Sequence, residues 1–289
     1  MKEFTLDYIR CIKCNSKLEL DILKKQNEIE EGFLHCKNCE SVYPIIEKLP
    51  IIWDDFSSYI SNRRTLGGKL VNSVSPKMKL FLKKSLTNNI KNIEDRSNLE
   101  KRWTKIYQES TRSKFYSTIK KKIEQLPSSK LSLEYGCSIG TISKYLSESS
   151  QTVFGIDRSF EALKIAQKNP KENLDFIIAD SFSPVFGKTK FDLILALNLL
   201  ELVEPLDFLN QINNQITKGS LLISDPYDYD RGKNSVKKPL DEKALRKNLR
   251  KFGFKIILGT NNPSNITWNL KLNPRTKLHY KVDLVIAQK

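Results

Sequence analysis

From about residue 130 onward the chain alternates short apolar runs with amphipathic stretches, and this alternation restricts its fold more than any other feature. The runs lie near 131–135, 152–157, 174–179, 191–197 and 220–224, with helical periodicity between them. Strands that recur between helices pair in parallel and bury both faces, so the pattern predicts an α/β fold, a mostly parallel sheet covered on both sides. A helix is expected around 241–251, and Phe254 to Leu258 and the alternating run Tyr280 to Ile286 read as closing strands. The chain shows no internal repeat, and its 289 residues leave room for a second, smaller unit.

The first of these strands runs into Leu133-Glu134-Tyr135-Gly136-Cys137-Ser138-Ile139-Gly140-Thr141. A glycine-rich turn at the carboxyl end of a first strand lets the backbone approach a ligand closely. The dinucleotide pattern G-x-G-x-x-G needs a glycine at 141, where this chain has Thr141, so nicotinamide cofactors are disfavoured. The run instead resembles the first motif of class I S-adenosylmethionine (SAM)-dependent methyltransferases, acidic-x-G-x-G-x-G, with Ser138 in place of the middle glycine. That resemblance implies a Rossmann-like, seven-stranded methyltransferase sheet over residues 130–289 and SAM as cofactor. It gives Glu134 the orientation of the methionine end, and Gly136, Ser138 and Gly140 the close bend around it. Val153 to Asp157 ends the second strand with a carboxylate suited to two ribose hydroxyls, and Ser159 is placed to cap the following helix. Phe176 to Ser181 puts Asp180 and Ser181 where the family meets adenine, and Phe191 to Asn198 brings Asn198 near the sulfonium. Any one of these carboxylates alone is more often a helix cap or a surface group; their order across three successive β-α units carries the reading. Cys137 is expected to pack behind the turn.

Cys11-x-x-Cys14 and Cys36-x-x-Cys39, 21 residues apart, have the spacing of a four-thiolate ribbon. Each pair presents two sulfurs and two pairs close a tetrahedron, which suits zinc, or iron with the same ligands. A closed tetrahedron leaves no open position, so the metal is expected to be structural, with His35 a neighbour and not a ligand. Together with Tyr43-Pro44-Ile45-Ile46 and Pro50-Ile51-Ile52, these cysteines resemble the zinc-ribbon family whose members are activating subunits of tRNA, rRNA and protein methyltransferases. The resemblance implies packing of residues 1–55 against a methyltransferase, here in cis.

Residues 56–75, with Gly67-Gly68, read as a linker, followed by two helices. One carries Leu82, Leu86, Ile90 and Ile93 on a face opposite Lys77, Lys83, Lys84 and Lys91; the other carries Phe115, Ile119, Ile123 and Leu126 opposite Lys114 and Lys120 to Lys122. The expected division is a ribbon over 1–55, a linker and basic helical connector over 56–129, and the methyltransferase domain over 130–289. The net charge of +16 is concentrated in the middle: residues 1–55 hold 8 basic and 11 acidic residues, 56–130 hold 18 and 5, and 131–289 hold 23 and 17. A basic segment of this density favours polyanions such as RNA, or equally supplies solvated lysine-rich helix faces.

With His35 and His279 the only histidines, an imidazole base is disfavoured. The acceptor-side candidates are Asp225 and Tyr227, in Ser224-Asp225-Pro226-Tyr227-Asp228-Tyr229-Asp230 after the fifth strand; an acidic turn is the equal alternative. Asn198 to Val203 with Asp225-Pro226-Tyr227 is also similar to the methyltransferase domain linked to ovothiol synthesis, which implies small amine substrates. Trp103 and Tyr107, four apart, either roof the cofactor or bury themselves between helices. Three readings follow: a methyltransferase acting on a small molecule, an RNA methyltransferase using the connector and ribbon, or a non-catalytic SAM-binding scaffold. A partner protein is left open. The start of the chain has no apolar core with a small-residue cleavage site, and the longest apolar stretch, Leu193 to Val203, falls short of the roughly 20 residues that span a bilayer. A cytoplasmic protein without membrane contact is the expectation.

Overall fold

The computed structural model describes residues 1–87, 95–230 and 236–289. In chain order the strands are β1 (Glu19–Lys25), β2 (Ile29–His35), β3 (Val42–Ile46), β4 (Leu49–Ile52), β5 (Ser129–Tyr135), β6 (Ser150–Asp157), β7 (Leu174–Ala179), β8 (Leu193–Leu197), β9 (Ser220–Asp225), β10 (Lys255–Ile256), β11 (Ile266–Asn273) and β12 (Thr276–Gln288). The helices are α1 (Thr5–Tyr8), α2 (Phe56–Ser61), α3 (Arg64–Ser73), α4 (Pro76–Thr87), α5 (Ser97–Ser110), α6 (Lys114–Ile123), α7 (Thr141–Leu146), α8 (Phe160–Ala166), α9 (Pro205–Gln215) and α10 (Glu242–Lys251). The chain forms two compact units, one of residues 1–105, 157–169 and 175–189, the other of 106–156, 170–174 and 190–289. None of the described helices is long and apolar enough to cross a membrane.

In the first unit β1 to β4 form an antiparallel meander. Its last strand then pairs in parallel with β7, Ile51 opposite Ile178 and Ile52 opposite Ala179. These four residues are fully or nearly fully buried, so strand pairing and apolar burial act together at this seam. The Asp175 carboxylate on β7 accepts hydrogen bonds from the Lys2 N–H (2.9 Å) and the Thr5 hydroxyl (2.5 Å), tying the start of the chain to the same strand.

The sequence reads 56–75 as a linker, whereas the structure makes it helical through α2 and α3. Asp55 caps α2 by accepting the Ser57 N–H at 2.9 Å. Gly67 is a close-packing residue: a Cβ there would lie 2.8 Å from Leu86 Cδ2 and 3.2 Å from Ile60 Cγ1. Leu82 is buried on α4 as its periodicity implies; Ile90, Ile93 and Lys91 lie outside the described residues.

In the second unit the strand order is β6-β5-β8-β9-β12-β10. The first four run parallel and β12 runs antiparallel to β9, with Asp283 opposite Asp225. β8 and the middle of β9, Leu221 to Ile223, are apolar on both faces, as strands covered on both sides tend to be, whereas β5 buries Leu133 and Tyr135 on one face and Ser132 and Glu134 on the other. With β7 in the first unit, the seven strands expected of the sheet are all formed. The closing run at 254–258 is shorter than its apolar content suggests, since only Lys255 and Ile256 pair with β12. β12 in turn extends into a hairpin with β11, a strand outside the expected set. Trp268 of β11 stacks on Tyr107 (ring centroids 6.1 Å, 3° between planes) and packs against Phe115 and Tyr280. Of the two uses open to Tyr107, the structure shows packing. Phe115, Ile119 and Ile123 of α6 are buried together.

Candidate cofactor site and metal centre

β5 ends where its backbone must leave the sheet and turn into α7. Gly136, Ser138 and Gly140 take φ values of 64°, 49° and 69°, three left-handed residues alternating with ordinary ones. Ser138 thus adopts the conformation of the glycine it replaces, at a cost of roughly 1–2 kcal/mol for an L-residue. The turn is held from inside: the Cys137 N–H donates to the Ile156 carbonyl at 3.0 Å, and the Gly140 N–H to the Cys137 carbonyl at 2.8 Å. Cys137 is 4% exposed, packed behind the turn. A Cβ on Gly136 would come within 3.2 Å of Leu199 Cδ1, a tight contact that adds to the preference of its φ for glycine. The Glu134 carboxylate, 3% exposed, accepts the Ser143 hydroxyl from α7 and so fastens the helix to the strand end.

Asn198 follows β8 at φ 53°. Its N–H donates to the Ser224 carbonyl (2.7 Å) and its Oδ1 accepts the Ser224 hydroxyl (2.9 Å), which joins the ends of β8 and β9. Asp225 is fully buried; one oxygen accepts the Leu200 N–H at 3.0 Å and the other the Tyr227 N–H at 2.8 Å. Burial pushes its carboxyl up to about 7, helped by the charge of Glu201 and opposed by the backbone N–H donors. Tyr227, at φ 56°, donates its hydroxyl to Asp283 Oδ2 at 2.8 Å, and burial together with that carboxylate raises its pKa. Asp283 is in turn gripped by Arg246. Burial would raise the Asp283 carboxyl, but Arg246, the Ser264 N–H and the Tyr227 hydroxyl outweigh it and hold it below its usual range. Arg246, Asp283 and Glu201 carry no local signal in the sequence; their partners lie far along the chain.

In the other unit, Asp157 Oδ1 accepts the Ser159 N–H at 2.8 Å, and Ser159 Oγ caps α8 by accepting the Ala162 N–H at 3.2 Å. Asp180 Oδ1 accepts the Phe182 N–H at 2.9 Å, with Ser181 between them. The structure therefore gathers Glu134, Gly136, Ser138, Gly140, Asn198, Asp225 and Tyr227 in one unit, and Asp157, Asp180 and Ser181 in the other. Each lies at the carboxyl end of a strand, where α/β sheets bind ligands.

The sulfurs of Cys11, Cys14, Cys36 and Cys39 all lie within 4.8 Å of one another. The pairs Cys11 to Cys39 at 3.4 Å and Cys14 to Cys36 at 3.3 Å are far longer than a disulfide of about 2.05 Å. Each knuckle is closed by a cysteine N–H, Cys11 on the Ser16 carbonyl and Cys36 on the Ser41 carbonyl, both at 2.9 Å. Four convergent thiols on two like turns fit a tetrahedral metal ion. His35 packs its ring against Phe33 and is not among the converging groups.

The family model described as a methyltransferase domain matches residues 133–224. No curated protein matches the chain. Among solved structures, the chain is similar to magnesium protoporphyrin IX methyltransferase from Synechocystis PCC 6803 with bound SAH, at 17% identity, over 67% of this chain and 95% of that one, with a TM-score of 0.49. It is similar to a chain of the complex between the Haloferax volcanii Trm112 methyltransferase activator and a protein described as a methyltransferase, at 13% identity, over 65% and 96%, with a TM-score of 0.52. A SAM-dependent methyltransferase from Aquifex aeolicus aligns at 17% identity, over 58% and 87%, with a TM-score of 0.41.

Proposed function

We propose, proceeding from the SAM-dependent methyltransferase domain that residues 133–224 form on an α/β methyltransferase fold, that this enzyme methylates a small-molecule acceptor. The observation that carries the cofactor assignment is the turn after β5, whose three left-handed residues fold the backbone tightly behind a buried glutamate. SAM, when bound, supplies a sulfonium methyl group open to in-line attack. On this reading Glu134 and the turn over Gly136 to Gly140 orient the methionine end, Asp157 accepts the ribose hydroxyls, Asp180 and Ser181 meet the adenine, and Asn198 lies beside the methyl-bearing sulfur.

Methyl transfer needs the acceptor atom held about 3 Å from the methyl carbon on its axis, so positioning can supply most of the acceleration. We assign Asp225 and Tyr227 to the acceptor side. A carboxyl near 7 suits a proton acceptor, yet Asp225 is fully buried with both oxygens on backbone N–H groups. Tyr227 commits its proton to Asp283. Both therefore serve to shape the loop that frames the acceptor.

A small acceptor is favoured over RNA because several connector lysines are engaged within the chain. Lys77 pairs with Asp21 at 2.8 Å, Lys122 donates to the Leu258 carbonyl at 3.1 Å, and Lys120 sits 4.9 Å from the Tyr145 ring centre. We further propose that the four cysteines hold a structural zinc ion and that residues 1–55 act as an activator fused in cis. The parallel pairing of β4 with β7 supports this.

Calorimetry with SAH tests the cofactor, and transfer of radiolabelled methyl from SAM to a small-molecule extract or to total RNA tests the acceptor. Binding of SAH with label in the small-molecule fraction is expected. Label in RNA would overturn the acceptor class alone; absence of SAH binding by the intact protein would overturn the enzymatic reading.

A further inference from the structure

Beyond the β5 turn, the unit that holds Asp157 and Asp180 contains a cavity of about 390 Å³. That is within the roughly 300–1,000 Å³ usual for small-molecule sites. It is lined by Asp180, Phe182, Ser183 and Pro184, which follow β7, together with Ile12 from the first cysteine knuckle and Trp53 and Asp54 from the end of β4. Aromatic and aliphatic walls with carboxylates among them match a flat, apolar base bearing an amino donor.

Trp53 leads on to Asp157. Its ring lies 5.0 Å from that of Tyr59 on α2. The Tyr59 hydroxyl donates to the Arg158 carbonyl at 3.2 Å, and Arg63 Nη2 donates to the same oxygen at 3.3 Å. Arg63 is 2% exposed, clasps Glu100 through Nε (3.2 Å) and Nη2 (2.6 Å), and lies 3.9 Å above the Tyr59 ring. Two donors from one N-terminal segment thus converge on the carbonyl of the residue that follows Asp157. A buried, doubly anchored guanidinium of this kind is rigid, because breaking it strands a charge.

We propose that the N-terminal segment builds the nucleoside half of the cofactor site: Ile12 and Trp53 wall the adenine slot beside Asp180, and Tyr59 and Arg63 are positioning residues for Asp157. This rests on the assignment of SAM above and adds that residues outside the methyltransferase domain decide how tightly its nucleoside is held. The cysteine knuckle then acts on the cofactor through Ile12, by shape alone.

The test is SAH binding to the full-length, metal-loaded protein, read by calorimetry and by intrinsic fluorescence, in wild type, Trp53→Phe, Trp53→Ala and Tyr59→Phe. Trp53→Ala is expected to weaken SAH about tenfold, the usual scale of a lost base–aromatic contact. Tyr59→Phe is expected to weaken it about threefold, the scale of one hydrogen bond. Wild type should show an SAH-induced fluorescence change that Trp53→Phe loses. The Tyr59→Phe loss should shrink when 5′-methylthioadenosine is replaced by its 2′-deoxy analogue, a coupling that a general loosening of the fold does not produce. SAH binding that is unchanged in Trp53→Ala and Tyr59→Phe, with the fluorescence change persisting in Trp53→Phe, would overturn the inference. Absence of SAH binding in wild type would instead remove the SAM reading beneath it.

Discussion

Arg246 and Asp283 meet through two hydrogen bonds, Nη1 to Oδ2 at 2.6 Å and Nη2 to Oδ1 at 3.0 Å, with side chains only 3% and 4% exposed. The pair joins α10 to β12 and receives the Tyr227 hydroxyl, so it anchors the loop after β9 to the sheet. Arg246→Met strands a buried carboxylate and is expected to cost about 3–5 kcal/mol in urea unfolding. Arg246→Met with Asp283→Leu removes both charges and should regain at least half of that loss. A double variant no more stable than the single one would show that the pair does not act as a unit.

Asp225 gives a pH signature. Its folded pKa, about 7, lies above the ordinary carboxyl value of 3.8, so its protonated form favours folding. That contribution is complete below the unfolded pKa and is lost as pH rises through the folded one. Thermal unfolding of wild type minus Asp225→Asn should therefore fall by up to about 4 kcal/mol between about pH 4 and about pH 8. A difference that stays flat across that range would place the ionisation elsewhere.

Ser138 tests the cost of the tight turn. Ser138→Gly removes the penalty of φ 49° but gains unfolded-state freedom, leaving a net stabilisation of about 0.5–1 kcal/mol. Ser138→Val should destabilise by at least about 1 kcal/mol, since a β-branched residue tolerates that region least. Chemical denaturation of the two variants measures both signs. SAH affinity should survive in the glycine variant.

The cysteine cluster predicts one metal ion per chain by elemental analysis, with zinc dominant. Cys36→Ser should abolish it and lower the melting temperature, because metal binding and folding of so small a ribbon are one equilibrium. A full metal complement in that variant would reassign the ligands.

How much of this was readable in advance depended on the range of the interaction. β7 is formed over 174–179, the run that Leu174 and Phe176 to Ala179 mark out, because a strand covered on both faces reads as a nearly continuous apolar run. The α10 helix and the Ser159 cap are equally local. Gly67 read as linker punctuation because its reason, Leu86 Cδ2 at 2.8 Å from where a Cβ would stand, belongs to another helix. The β11–β12 hairpin does have a local signature, Ile266, Trp268, Leu270 and Leu272 alternating with polar residues ahead of Asn273-Pro274, but that Trp268 packs on Tyr107 and Phe115, from distant segments, is recorded by no local pattern.

The amino-acid order alone determined the five strands between residues 129 and 225, the glycine turn and the two cysteine pairs, since these depend on periodicities and spacings within a few residues. Only the tertiary structure decided that β4 pairs with β7, that Tyr59 and Arg63 converge on the Arg158 carbonyl, and that Arg246 neutralises Asp283. Those choices are made by burial. A charged or polar group far from water must find its partner wherever the folded chain brings one, and no local pattern records where that is.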